Sequence, residues 1–327
     1  MQILMSDAAF GRVAASLSAD LDVVTIDAAG GLNRAGQAID GGDVDPEVYW
    51  VSLDLYQSGQ LGDIFGRIQQ GAKGRWIQMF AAGLDNAVFT RIMAKGIRIT
   101  KSSAQAPAIA EYVMCHALSL LNPIDAYRHA QDAHEWKFVG YKEIASTRWI
   151  LVGFGAIGLE IARRLQPFGA HLTVVRRSPT PEPLAADVRP TADLVGLAPE
   201  ADVVVLACAL NDQTRGLADE RFFAAMKPGS LLINIGRGGL VDEAALRAGL
   251  DRGQPGRAVL DVFAKEPLPA DSWFWDHPKV RVTGHCAGAG DGVLVRGDQL
   301  FLANLALYRA GRPLLNEAGR DEVGLPL

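Results

Sequence analysis

The hexapeptide Gly153-Phe154-Gly155-Ala156-Ile157-Gly158 constrains this chain more than any other feature, because it sits directly after a short apolar run and directly before a helical stretch. Trp149 to Val152 reads as a strand and Leu159 to Phe168 as a helix. With 35 glycines in the chain, a G-x-G-x-x-G match alone is weak, and its place between strand and helix makes it specific. Gly153 permits a tight turn, Gly155 lets the backbone approach a pyrophosphate, and Gly158 allows helix and strand to pack closely. The helix start, with Ala156 and Ile157, offers unpaired N–H donors to an anion.

Further strands are expected at Leu172 to Val175, Asp202 to Ala207, Leu231 to Ile235, Ala258 to Val262 and Val280 to Thr283. Strands alternating with helical stretches, apolar on consecutive residues, describe a parallel sheet covered on both faces. Together they predict a doubly wound Rossmann domain. A weaker alternation before it, at Gln2 to Met5, Val23 to Ile26, Tyr49 to Leu53, Trp76 to Phe80 and Ile97 to Thr100, predicts a second, smaller α/β domain. Pro107 opens a helix over Ala108 to Leu121 that is apolar on nearly every side and is therefore expected to be buried, either between domains or at a subunit interface. A further helix is expected over Val293 to Ala310, returning the chain to the first domain. The domains are set at 1–99 with 288–327, for substrate, and 100–287, for cofactor.

Dinucleotide sites that prefer NAD carry an acidic residue about 20 residues beyond the glycines, on the ribose hydroxyls. Here that place holds Arg176, Arg177 and Ser178. Guanidinium groups pair with a 2′-phosphate where a carboxylate would repel it, so NADP is preferred, with NAD possible. Two arginines ending a strand and facing water remain the plain alternative.

A net charge of −5 and a pI of about 5.7 argue against nucleic acid or anionic lipid as partner and point to small molecules. Cys115, Cys208 and Cys286 lie far apart, without metal-ligand spacing, so neither a disulfide framework nor a metal site is expected. The N-terminus lacks a signal-like basic start, and no apolar run reaches membrane-spanning length. A cytoplasmic enzyme is the expectation.

Three segments carry a family resemblance: Ile233 to Asp242, with Arg237; Leu260 to Leu268, with Asp261 and Glu266; and Thr283 to Gly288, with His285. In this order and spacing the chain resembles the D-isomer-specific 2-hydroxyacid dehydrogenases, in particular the NADPH-dependent glyoxylate and hydroxypyruvate reductases. Reduction of a 2-keto acid needs a cation for the carboxylate and carbonyl, a proton donor for the developing alkoxide, and a hydride donor. Arg237 is suited to the first role and His285 to the second, with Glu266 favouring the imidazolium. The resemblance implies a flavodoxin-like substrate domain and an active site in the cleft between domains, with hinges near Thr100 and 288–290. It further implies that Asp261 meets the nicotinamide carboxamide and that Ala82 and Gly83, in Phe80 to Asp85, present N–H groups to the substrate carboxylate. Trp136 falls in the arm that packs across a homodimer. Each residue also has a structural alternative: a strand-end arginine as surface charge, Glu266 as a loop residue, Asp261 as a turn cap.

Two departures from the family pattern concern the cofactor edge. Gly284 stands where proline usually precedes the histidine, and Ala207 to Asn211 replaces a stretch with proline and threonine. Cys286 beside His285 invites a thiol mechanism, which carbonyl reduction does not need. Substrate side chains are expected to meet Ser52 to Leu55 and the aromatics Trp273, Phe274 and Trp275, which can equally serve packing. The competing functional class is a dinucleotide-binding scaffold or sensor. Oxidation of another small anion, such as formate or phosphite, is a third; for phosphite, no extra cationic groups are evident.

Overall fold

A computed structural model describes residues 1 to 325. They form two compact units: Met1–Gln105 with the tail from Asp291, and Ala106–Gly290.

The first unit is built on β1 (Gln2–Ser6), β2 (Asp22–Ile26), β3 (Leu32–Arg34), β4 (Gln37–Ala38), β5 (Val48–Val51), β6 (Trp76–Met79) and β7 (Arg98–Thr100), in sheet order β4-β3-β2-β1-β5-β6-β7. The five longer-range strands run parallel, while β3 and β4 form an antiparallel hairpin on the edge. Sequence periodicity did not expose this hairpin. Its strands are too short to alternate visibly, and its turn is Ala35-Gly36, both left-handed at φ 50° and 78°, without the Asn or Asp that usually marks such a turn. The tail helix Val293–Arg309 closes one face, with Phe301 stacked on Trp50 at 4.1 Å.

Thr100 is fully buried in this unit. Its hydroxyl accepts from Trp76 Nε1 (2.9 Å) and donates to Gln78 Oε1 (2.8 Å), which also accepts from Asn304 of the tail helix (2.8 Å). These bonds tie the end of β7 to β6 and to the tail helix. The chain leaves this unit only after Gln105, because Ser102 N–H donates to Ala81 O (2.9 Å) and Gln105 to Phe80 O.

The second unit is an all-parallel sheet of β8 (Arg148–Val152), β9 (His171–Val175), β10 (Asp187–Arg189), β11 (Val203–Leu206), β12 (Leu231–Asn234), β13 (Arg257–Leu260) and β14 (Val280–Val282), ordered β10-β9-β8-β11-β12-β13-β14. It has seven strands rather than the six read from the sequence. The extra one, Asp187-Val188-Arg189, is a short charged edge strand with no apolar run to betray it. The helix Ala106–Leu121 packs on the helix Ala156–Leu165. Within the chain it buries a stripe of Ala106, Ala110, Val113, Met114 and Ala117 and leaves Leu118 exposed.

Asp202 joins the N-terminal ends of three strands. Its carboxylate accepts from Lys142 (2.8 Å), Lys227 (2.7 Å) and the Arg148 N–H (2.9 Å), and its backbone bonds to both neighbouring strands. Burial opposes ionisation, but these donors outweigh it and hold the carboxyl below the usual carboxylate range. A folded-state pKa below the unfolded value stabilises the fold above about pH 4 and ceases to do so as pH falls through the folded value. Asp202→Asn should therefore cost about 1–2 kcal/mol at pH 7, discounted because both lysines are well solvated, with a lower Tm. The deficit should shrink at pH 3. Equal melting of both proteins at pH 7 would remove Asp202 from the stabilising groups.

Candidate active site

The residues singled out in the second unit collect at the C-terminal edge of its sheet. Strand order reverses between β8 and β11, and ligands bind in such sheets at that crevice. Gly153, after β8, is left-handed at φ +97°, and a Cβ there would lie 2.7 Å from the backbone of Cys208, after β11. The two loops thus touch across the reversal. A Cβ on Gly158 would meet Gly153 O at 2.6 Å, so the helix must start flush against the loop. A Cβ on Gly155 would meet nothing within 4 Å: this side is open. The first N–H groups of the helix have no intrahelical acceptor, and the helix dipole favours an anion there. An open side and unpaired donors fit a pyrophosphate.

At the end of β9, Arg176 anchors its N–H on Arg189 O (3.0 Å). Its guanidinium pairs with Glu182 (2.8 Å) and donates to Thr180 O (3.1 Å). Arg177 and Ser178 follow, both exposed.

Beyond β12, Asn234 shapes the turn that carries Arg237. Its Oδ1 accepts from Gly236 N–H (3.1 Å) and its Nδ2 donates to Arg237 O (3.0 Å). The next residue must be glycine, because a Cβ on Gly238 would fall 1.8 Å from the carbonyl carbon of Phe263 in the loop after β13. The half-buried Arg237 side chain donates to Gly236 O at 2.8 Å.

Asp261 is only 2% exposed, and its carboxylate is hydrogen-bonded within the protein. Oδ1 accepts from Thr283 Oγ1 (2.6 Å) and Cys286 N–H (2.9 Å), Oδ2 accepts from Ala287 N–H (3.0 Å), and the backbone oxygen accepts from His285 N–H (2.8 Å). Its carboxylate thus ties down the loop that carries the histidine. Since Thr283 spends its proton on Asp261, it accepts from Tyr112 OH at 2.7 Å. Burial pushes that phenol up to about 12, so it stays a donor.

These bonds hold His285 at φ 52°, a left-handed conformation that costs a non-glycine residue about 1–3 kcal/mol. The ring Nδ1 lies 2.7 Å from Glu266 Oε2, and Glu266 Oε1 accepts from Phe263 N–H at 2.9 Å. An ionised carboxylate requires the proton on Nδ1, which leaves Nε2 for other chemistry. Arg237, Glu266 and His285 thus follow three adjacent strands, and Gly238 touches the loop that carries Glu266.

In the first unit, Ala82 and Gly83 follow β6, also at a C-terminal strand end. The preceding Phe80 stacks on Tyr56 at 5.3 Å, and Tyr56 is 58% exposed. The aromatics near 274 prove largely structural. Phe274 is buried between Phe263 (5.2 Å) and Trp273 (4.0 Å), with Arg247 over Trp273, so they support the Glu266 loop from beneath, while Trp275 is half exposed. Sequence reasoning missed Asn234, Thr283, Tyr112, Tyr56 and Glu182. Thr283 carried a signal, its place at the end of a predicted strand, as did Asn234, near the end of the predicted strand before Arg237.

Fold and cradle define a dinucleotide-binding α/β protein. Residues 114–287 match the D-isomer specific 2-hydroxyacid dehydrogenase, NAD binding domain. The chain is 31% identical to the glyoxylate/hydroxypyruvate reductase HPR3 of Arabidopsis thaliana over 74% of this chain and 75% of that one. It is 30% identical to the hydroxyphenylpyruvate reductase of Plectranthus scutellarioides over 73% and 76%. In fold it is similar to a D-isomer specific 2-hydroxyacid dehydrogenase from Xanthobacter autotrophicus in complex with NADPH and MES, with TM-score 0.80, 24% identity and coverage of 99% and 100%. The chain belongs to the D-isomer-specific 2-hydroxyacid dehydrogenase family, enzymes that interconvert 2-keto and 2-hydroxy acids on a nicotinamide cofactor. Among the described residues no helix is long and apolar enough to cross a membrane.

Proposed function

We propose that the protein reduces small 2-keto acids, glyoxylate and hydroxypyruvate first among them, to D-2-hydroxy acids with NADPH preferred over NADH. The observation that carries this reading is the His285–Glu266 pair, 2.7 Å apart, on the loops after β14 and β13, with the Arg237 turn after the next strand, β12. Gly153, Gly155, Ala156, Ile157 and Gly158 are the pyrophosphate cradle, and Arg176, Arg177 and Ser178 the 2′-phosphate site. Asp261 contributes by holding the histidine loop; any carboxamide contact falls to the remaining lone pairs of its carboxylate.

When bound, the nicotinamide supplies the hydride for the keto carbon. The Arg237 guanidinium holds the carboxylate and draws electron density toward the keto oxygen, with Ala82 and Gly83 N–H groups as further carboxylate donors. His285 Nε2 gives its proton to that oxygen as negative charge develops there. Glu266, accepting from Nδ1–H, fixes the tautomer and the ring plane and balances the imidazolium charge. In the reverse direction the same Nε2 takes the hydroxyl proton.

A homodimer completes the proposal. Trp136 and Phe138 are almost fully exposed, with Tyr141 close in sequence, and a second copy would cover these aromatics. The three free cysteines and NADPH dependence suit the cytoplasm.

The test is loss of nicotinamide absorbance with NADPH or NADH and a panel of glyoxylate, hydroxypyruvate, pyruvate and phenylpyruvate. Turnover with glyoxylate or hydroxypyruvate, faster with NADPH, is expected. Arg176→Asp should shift kcat/KM toward NADH by about tenfold or more. Cofactor binding without turnover on any acid would overturn the reductase and leave a dinucleotide-binding scaffold. An unchanged cofactor ratio in the variant would remove Arg176 from the phosphate site.

A further inference from the structure

Glu182 has no part in the function proposed above, yet it occupies the fork of the arginine on which cofactor preference turns. The Arg176 backbone is fixed at the end of β9 by its bond to Arg189 O, so only the side chain is free to choose partners. Its Nη1 lies 2.8 Å from Glu182 Oε1 and its Nη2 3.1 Å from Thr180 O. Its Nε, buried, has no hydrogen-bond partner among the described residues. The hold is therefore incomplete: two donor positions are used and a third is stranded, a penalty that rotation toward an anion would relieve. Both side chains remain about a quarter exposed, so exchange with a ligand needs no unpacking of the core.

The loop presents Glu182 ready-made. Pro179, Pro181 and Pro183 alternate through it, and Thr180 N–H closes on Ser178 O at 2.9 Å. Proline removes conformational freedom before folding, so little entropy opposes keeping the carboxylate beside Arg176. A planar guanidinium pairs with a carboxylate or a phosphate through the same fork, and not with both at once through the same donors.

We propose that Glu182 is a specificity-determining positioning residue: it competes with the 2′-phosphate of NADP for Arg176 and thereby keeps NAD usable beside NADP. This rests on the dinucleotide reading above. The preference for NADP is then set by the difference between two anions on one cation, with Arg177 and Ser178 beside it, rather than by the arginines alone.

The test is calorimetric titration of adenosine 2′,5′-bisphosphate and of AMP into the full chain, which reads binding without turnover. Glu182→Gln keeps a hydrogen-bond acceptor on the loop and removes its charge. It should tighten the bisphosphate about five- to tenfold and leave AMP within about twofold. In an Arg176→Leu background the same change should do nothing, because the effect passes through that arginine. Bisphosphate binding unchanged by Glu182→Gln overturns this inference alone, as does tightening that persists without Arg176. Failure of both nucleotides to bind either protein overturns it together with the dinucleotide reading.

Discussion

Arg237→Ala should lower kcat/KM for 2-keto acid reduction by about 10³-fold or more while leaving the Kd for NADPH within about twofold. The loss is large because the guanidinium is assigned two tasks, holding the carboxylate and polarising the carbonyl, and the second grows as charge reaches the oxygen. The variant should fold normally. The turn is shaped by Asn234 through Gly236 N–H and Arg237 O and pressed against Phe263 at Gly238, and none of these contacts uses the Arg237 side chain. Arg237→Lys should recover little, since a point charge cannot make the paired, planar contact. Steady-state kinetics with glyoxylate and hydroxypyruvate, beside a fluorescence titration of NADPH, separates the terms. Wild-type turnover on every accepted acid would remove Arg237 from the site.

His285→Asn should lower kcat by about 10²- to 10⁴-fold, again with NADPH binding retained. Asparagine is the better probe than alanine because His285 is left-handed at φ 52°, a conformation asparagine tolerates, so loop geometry is kept while the proton donor is lost. His285→Ala should lose as much activity and in addition some stability, visible as a lower Tm. Glu266→Gln should fall between wild type and His285→Asn, because the amide still accepts from Nδ1–H but no longer balances the imidazolium. If His285→Asn turned over at the wild-type rate, proton donation would have to come from elsewhere.

The cradle was legible in the sequence because its requirements are local: a strand, glycines at fixed spacing, a helix. Arg237, Glu266 and His285 stood out because their segments resemble the family's, and Arg237 and His285 in addition follow predicted strands, whose ends are where ligands sit in such sheets. Asp261 was read with equal ease, but the bonds it makes were not. Its partners, Thr283, Cys286 and Ala287, lie more than twenty positions away, and nothing local announces that their donors converge on one carboxylate. The short hairpin strands β3 and β4 and the edge strand β10 escaped notice because their residues are mostly polar and form no apolar run. The aromatics at 273–275 were ambiguous because burial of Phe274 depends on Phe263 arriving above it.

By itself the sequence determined the alternation of strands and helices, the tight turn at Gly153, and which side chains stand at strand ends, since all of these follow from short-range sterics and apolar periodicity. Only the tertiary structure decided which strand ends are neighbours, that Gly238 lies against Phe263, that three distant N–H groups and a hydroxyl bind His285's loop to Asp261, and that Glu182 already occupies Arg176. Those depend on sheet order and loop packing. Hydrogen bonds and close contacts between residues far apart in the chain form only once the strands have taken their places.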